Sequence, residues 1–366
     1  LKIPSYTGIR SIMRIKRLTQ SLEAMGLDAY VVTREPNVFY YTGSISGGNL
    51  IVSPETDPLL LTGRLNLACA LDQTKGCEIK PYTREELVDK IVEKLDEFKP
   101  KKIGFDDLPL KLYRDLKERL KGLELKIEAD AVRNMRMVKD VDEVELMRRA
   151  GELADVGMEA VKNCLKDGIR ENEVAAEASY AMMKEGADAL AFPFIVVSGP
   201  RSAYPHGGVT DKKIRGGEFV TMDMGASFKE YKTDITRTFL VGTPSEKQRR
   251  IYETVLEANL AAHDKIRDGI AGTEAHRTAM EVIEKGGYGE YFIHGLGHGV
   301  GLEVHEGPSL GKTSNDILRA GNVVTNEPGI YIHGFGGVRI EDTVLVTRSS
   351  PERLTKTSKE LDAMIV

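Results

Sequence analysis

The sequence predicts an α/β (α+β) protein of two domains. An N-terminal mixed α/β domain takes residues 1–135, and a C-terminal domain, residues 136–366, is built from duplicated helix–helix–strand halves related by a pseudo-twofold. Three observations carry this. Strand and helix signals alternate through residues 14–130, the pattern of a layered α/β domain. A segment of the second domain recurs 101 positions later, where Asp167, Gly168, Ile169 and Glu173 match Asp268, Gly269, Ile270 and Glu274. Two further stretches, Glu218–Val241 and Asn322–Val346, alternate apolar and polar residues around a turn, as hairpins do.

In chain order, Arg14–Met25 reads as a helix stopped by Gly26, and Ala29–Thr33 as a strand. Asn37–Gly43, rich in aromatics, reads as a turn region. Strands are expected at Leu50–Ser53, Leu59–Leu61, Ile79–Tyr82, Lys102–Phe105 and Leu123–Ile127. Helices are expected at Leu65–Leu71, Glu85–Phe98 and Lys111–Leu120. Gly43, Gly47 and Gly48 lack the spacing of a phosphate-binding loop, so this domain reads as a cover without chemistry of its own. The boundary falls near Asn134–Val138, with no Pro/Ser linker. Val138–Leu165 is a long amphipathic helix with Asp140 as N-cap, Glu143 as its capping-box partner and Asp167–Gly168 as the stop. The repeat then pairs Lys166–Gly186 with Arg267–Gly287, each a DGI turn between two helices followed by strands. Two copies are too few for a solenoid, so they close on each other and leave a cleft where they meet.

The bulk properties exclude several classes. A net charge of −5 and a pI near 5.9 carry no nucleic-acid footprint. No run of 18 apolar residues exists to cross a membrane, and the first eighteen residues are basic without the apolar core of a signal peptide. The three cysteines, Cys69, Cys77 and Cys164, have neither disulfide nor metal spacing, which points to a reducing, cytoplasmic compartment, with Cys164 a core residue of its helix.

The chemistry lies in the two hairpins. In the first, Val220, Met222 and Met224 alternate with Phe219, Thr221 and Asp223, and Ile235, Phe239 and Val241 with Asp234, Thr236 and Thr238. A turn near Ser227–Glu230 centres the hairpin between Phe228 and Lys229 and sets Asp223 directly opposite Asp234. Opposed residues have Cβ atoms roughly 4.5–5.5 Å apart, where like charges destabilise unless a cation lies between them. A shifted register with solvated aspartates is the other reading of this hairpin alone. In the second, a Gly-rich turn at Gly334–Gly337 puts the centre near Gly334, seven residues from both Glu327 and Glu341. Between the hairpins, HGLGHGVGLEVHEGP (His294–Pro308) holds three of the seven histidines. Four carboxylates and an imidazole suit two divalent ions of the manganese, cobalt or zinc kind, whose charge they would neutralise.

The motifs SGPRSAYPHG, MDMGA, TDITRTF, HGLGHGVGLEVHE, NEPGIY and GVRIEDT, in this order, resemble the pita-bread metallopeptidases, specifically the Xaa-Pro peptidases, prolidase and aminopeptidase P. The resemblance runs from about Arg14 onward and is strongest from Phe192 to Thr347. It implies two α/β halves whose curved sheet holds two metal ions, and a homodimer. It implies metal ligation by Asp223, Asp234, His298, Glu327 and Glu341, with Asp234 and Glu341 bridging. It makes His206 and His305 groups that bind the substrate carbonyl and donate protons, and puts His294 in the substrate pocket. Arg339, two residues before Glu341, shares its face and can hold the bridging carboxylates. Pro328 fixes φ beside Glu327, and Gly295, Gly297, Gly299 and Gly301 allow close backbone approach around His298. The seven-residue spacing of His298 and His305 would put them on opposite strand faces, so a bulge or turn is expected between them. His263, His276 and His333 have no such spacing.

The implied activity is hydrolysis of the bond before proline in short peptides. The two ions would acidify a shared water into a hydroxide nucleophile. Glu327 or a metal-bound oxygen would carry a proton to the leaving imide nitrogen. Proline's imide lacks the N–H that ordinary peptidases read, and the substrate's free amino group on a metal would fix the cut at the first bond. The compact N-domain and overall length favour an Xaa-Pro dipeptidase over aminopeptidase P. A metal-free creatinase-like hydrolase lacks these ligands, a methionine aminopeptidase usually lacks the N-domain and SGPRSAYPHG, and a non-enzymatic relative would have lost ligands that stand here.

Overall fold

The computed structural model describes residues 8–366, so part of the segment read against a signal peptide, residues 1–7, lies outside the described residues. The chain divides into two compact units, one reaching Arg136 and the other starting at Met137.

The first unit is a six-stranded mixed sheet in the spatial order Glu78–Tyr82, Leu59–Gly63, Asn49–Val52, Ala29–Val32, Lys102–Phe105, Glu124–Ile127. Ala29–Val32 pairs parallel with Lys102–Phe105 and antiparallel with Asn49–Val52, so the sheet is mixed at its centre. Val31, Ile51, Leu61 and Phe105 pack against Ile91 and Leu95 of one helix and Leu116 of another, which is why both helices carry one apolar stripe. One expectation is corrected. The aromatic stretch expected as a turn is a helix, Glu35–Thr42, with Pro36 in its first turn and Gly43 at φ 74 as its left-handed cap. Burial of Val38, Phe39, Tyr40 and Tyr41 stabilises it where intrinsic propensity is poor. A further helix, Ala129–Met137, runs up to the division between the units, which falls within the expected region Asn134–Val138.

In the second unit the helix Val141–Cys164 starts on a complete capping box: Asp140 accepts from the Glu143 N–H at 2.9 Å and Glu143 accepts from the Asp140 N–H at 2.9 Å. Cys164, on its last turn, is half-buried against the core. The repeat is physical. Helices Glu171–Lys184 and Gly272–Lys285 follow Gly168 and Gly269, at φ 88 and 87. Gly168 N–H donates to Ile214 O and Gly269 N–H to Leu318 O, both at 2.9 Å, so each DGI turn is pinned to its own half in the same way.

The strands of the two halves carry the acids. Phe219–Met224 lies between Ile195–Ser198 and Ile235–Leu240, antiparallel to both. Asp223 faces Thr236, not Asp234 as expected. The hairpin closes through Lys229 and Glu230, both in left-handed backbone at φ 48 and 70, which moves its centre by one residue. Side chains alternate with period two, so Asp223 and Asp234 still share a face as diagonal neighbours. In the second half, Val323–Asn326 pairs with Asp342–Leu345 and Gly329–Ile332 with Gly336–Arg339, both ladders centred on Gly334 at φ 78. Glu327 and Glu341 occupy the gap between these ladders, where Pro328 has no N–H to give. Their own amides leave the hairpin: Glu327 N–H donates to Leu296 O at 2.9 Å and Glu341 N–H to Thr236 O at 3.1 Å. The last bond joins the second half to the first at the acids themselves. No described helix is long and apolar enough to cross a membrane.

Candidate metal centre

Where the halves meet, a cavity of about 800 Å³ opens onto Asp223, Asp234, His298, Glu327 and Glu341. Its lining also includes His206, His294, His305 and Arg339, so all nine residues singled out from the sequence face one space. His263, His276 and His333 do not line it.

The acids are held by their own strands and by few protein donors. Asp223, on the central strand of its sheet, takes Arg339 Nη2 at 2.5 Å on Oδ2, while its Oδ1 is buried without a hydrogen-bond partner. Asp234 Oδ1 is likewise buried and unpartnered. Burying a polar atom without a partner is costly. Two such oxygens on acids of one face mark a place built for a cation. One ligand atom each of Asp234, His298 and Glu341 lie within 4.8 Å of one another, close enough for a single ion.

The imidazole is presented in the matching form. His298 Nδ1 lies 3.0 Å from Gly299 O, and a carbonyl only accepts, so Nδ1 carries the proton. The other nitrogen, Nε2, then points at Glu327 Oε1, 3.3 Å away, and Asp234 Oδ2, 3.9 Å away. A lone pair and two carboxylate oxygens directed at one another need a proton or a metal between them. The expected irregularity is a slip in the pairing of Gly297–Gly299 with Glu306–Leu310 between His298 and Gly299. It returns His305 to His298, with ring centroids 4.0 Å apart. A Cβ on Gly297 would sit 2.2 Å from Thr325 O, and one on Gly299 2.0 Å from Gly307 O, so only glycine lets these strands close around the imidazole.

Electrostatics agree with the geometry. Burial and the neighbouring Glu341 and Asp223 carboxylates push the Asp234 carboxyl well above its ordinary range. Burial, Glu327 and Asp223 do the same to Glu341. Glu327 goes the other way: against the effect of burial, its hydrogen bond and charge contact with His298 bring it down to about 2. Burial lowers His294, and burial with the facing His298 lowers His305, leaving both neutral near pH 7. A divalent ion among the oxygens reverses the penalty on the acids, because its charge outweighs their mutual repulsion. The residues present therefore fit divalent metal ions.

Three residues that the sequence did not single out complete the site. Thr236, fully buried, donates to Glu341 Oε2 at 2.6 Å and accepts from Arg339 Nε at 3.1 Å. Thr325 accepts from the His298 N–H at 3.0 Å and donates to Glu327 Oε1 at 3.0 Å. Tyr331 accepts from Arg339 Nη1 at 2.9 Å and contacts His294 Nε2 at 2.9 Å. His294 Nδ1, 2.7 Å from Gly295 O, holds the ring's proton, so the Tyr331 hydroxyl donates to Nε2. Thr236 and Thr325 each lie two residues from a candidate ligand, the period that puts strand neighbours on one face, and that spacing was the available signal.

Comparison with known proteins follows the same division of the chain. Residues 145–348 match metallopeptidase family M24, and residues 14–138 match the creatinase/prolidase N-terminal domain. An Xaa-Pro dipeptidase of Pyrococcus horikoshii is 39% identical over 351 residues, covering 95% of this chain and 98% of that protein. A solved Xaa-Pro dipeptidase of Bacillus anthracis superposes with a TM-score of 0.92 at 37% identity, covering 97% of this chain and 100% of that one. A solved X-Pro aminopeptidase of Thermotoga maritima does so with a TM-score of 0.89 at 33% identity, covering 96% and 99%. The C-terminal unit has the pita-bread fold, and the chain belongs to metallopeptidase family M24.

Proposed function

We propose that this protein is an Xaa-Pro dipeptidase in which Asp223, Asp234, His298, Glu327 and Glu341 would hold two divalent ions of manganese, cobalt or zinc, with Asp234 and Glu341 serving both. The observation that carries this is the pair of buried, unpartnered oxygens, Asp223 Oδ1 and Asp234 Oδ1, beside His298 and Glu341. The two ions, when bound, supply an acidified water as nucleophile and polarise the scissile carbonyl.

The chain's own residues do the rest. Arg339 and Thr236 fix the carboxylates of Asp223 and Glu341, so the donor atoms are in position before metal arrives. Glu327, ionised at neutral pH, accepts the proton released on attack and returns it to the imide nitrogen as the C–N bond breaks. His305, neutral at that pH, offers an N–H to the carbonyl oxygen without adding a charge beside the ions, and His206 is a second donor to that oxygen from the loop that follows Ser198. Phe192, Ile195, Ile293 and Val304 give the cavity apolar walls against which a pyrrolidine ring packs and excludes water. His294, held by Tyr331, borders the substrate.

Dipeptides are favoured over longer peptides because the relatives of higher identity carry the dipeptidase name, 39% and 37% against 33% for the aminopeptidase. The reading extends to residues 136–366 as the catalytic domain, to a homodimer and to a cytoplasmic setting, the last supported by three free cysteines. Its test is hydrolysis of a panel of Xaa-Pro dipeptides and Xaa-Pro-Yaa tripeptides by the metal-stripped protein after adding back each metal. Turnover of the dipeptides is expected; cleavage of tripeptides alone would assign aminopeptidase P instead.

A further inference from the structure

His206 is exposed at the cavity, and among the described residues no hydrogen bond holds its ring. Its position is therefore set by its backbone. Locally that backbone is a turn, Tyr204–Gly207, closed by Gly207 N–H on Tyr204 O at 3.1 Å with Pro205 in the second position, where its fixed φ suits.

What holds the turn in place is one carboxylate. Glu171, the first residue of the helix Glu171–Lys184, is wholly buried. Its Oε1 accepts from the Ser198 amide and hydroxyl, both at 2.9 Å. Its Oε2 accepts from the Thr210 hydroxyl at 2.6 Å and amide at 3.2 Å, and pairs with Arg201. Ser198 and Thr210 are the two ends of the loop that carries His206, so Glu171 closes that loop like a clasp. Arg201 reaches from the same carboxylate across the loop to Gly207 O at 2.8 Å, the carbonyl directly after His206. Lys212 braces the clasp from outside, donating to Ser198 Oγ at 2.8 Å and Glu218 at 2.6 Å.

The duplicated fold does not require this. The residue equivalent to Glu171 in the second half, 101 positions on, is Gly272, so that helix starts without a carboxylate at its first position and keeps only Glu274, the counterpart of Glu173, in its first turn. Burying an acid is costly unless every lone pair is used, and here five donors are spent on one loop. We propose that Glu171 and Arg201 are positioning residues for the reaction: they hold the 198–210 loop so that the His206 imidazole meets the substrate carbonyl, without touching substrate themselves. The proposal rests on the assignment of His206 to the carbonyl.

The test is a double-mutant cycle on the metal-loaded full chain, with Xaa-Pro dipeptide as substrate. Glu171→Gln is expected to lower kcat about tenfold or more, the scale of a misplaced proton donor, with metal content unchanged. In a His206→Ala background the same change is expected to cost less than about twofold, since its effect acts through His206. Arg201→Met, at a partly exposed side chain, serves the same cycle should Glu171→Gln not fold, and Arg201→Lys is expected to restore only part of the rate because it lacks the fork that spans Glu171 and Gly207. Full additivity in the double variant, loss of metal together with rate, or unchanged kcat in Glu171→Gln would overturn the proposal while leaving His206 active. Unchanged kcat in His206→Ala would instead remove the assignment beneath it.

Discussion

Thr236→Val tests whether the carboxylates are held ready by the protein or gathered by the metal. The change is nearly isosteric and occurs at a residue with no exposed surface, so packing is kept while one hydroxyl is removed. That hydroxyl gives Glu341 Oε2 its 2.6 Å hydrogen bond and gives Arg339 Nε its 3.1 Å acceptor. Each group then loses a buried, charge-assisted partner. Leaving a buried polar group unsatisfied costs about 1–3 kcal/mol, and Arg339 keeps its bonds to Tyr331 and Asp223, so about 2–4 kcal/mol of folding stability is at stake in the metal-free protein. A partner that orients a metal ligand is typically worth 10–100-fold in metal affinity, about 1.4–2.7 kcal/mol. Urea unfolding of the apo protein and competition of a metal indicator against the holo protein read the two quantities separately. Affinity within about threefold of the parent, together with unchanged unfolding free energy, would refute the claim that Thr236 holds Glu341 in place.

Other consequences concern neighbouring groups. Asp342 is wholly buried and pairs with Arg237 at 2.7 Å, Lys359 at 2.8 Å and Arg353 at 3.2 Å, so Asp342→Asn leaves buried cations without their counter-charge and is expected to destabilise by about 3–5 kcal/mol in chemical denaturation. His305→Ala is expected to keep its metal, measured by elemental analysis, while kcat falls about a hundredfold. His276 is buried against Phe292, and burial holds its ring below the ordinary value of 6.5. As pH falls through 6.5 the unfolded chain takes up a proton before the folded one does. Stability present above that pH is therefore lost below it. His276→Phe is expected to flatten this part of the stability–pH curve, and an unchanged slope would show that the ring takes up its proton at the same pH in the folded and unfolded chain.

How much of this was legible in the sequence depended on how far apart the deciding residues lie. The DGI repeat was readable because Gly168 and Gly269 must adopt φ near 88, a conformation with few other occupants. The second hairpin was readable to the residue for the same reason, its centre being Gly334. The first was misplaced by one residue because Lys229 and Glu230 adopt left-handed backbone that their residue types do not announce. The helix Glu35–Thr42 had its signals, Pro36 and Gly43, but its aromatic content resembled loop until burial was known. The part Thr236 plays was not readable beyond its spacing from Asp234, since its bonds to Glu341 and Arg339 each span more than 100 positions.

Five side chains are proposed to hold two metal ions, and metal stoichiometry tests that most directly. The metal-stripped protein titrated with manganese or cobalt is expected to bind two ions per chain, with binding and activity lost together in Asp234→Asn and in Glu341→Gln. Two ions bound with full activity in either variant, or no saturable binding by the parent protein, would contradict it.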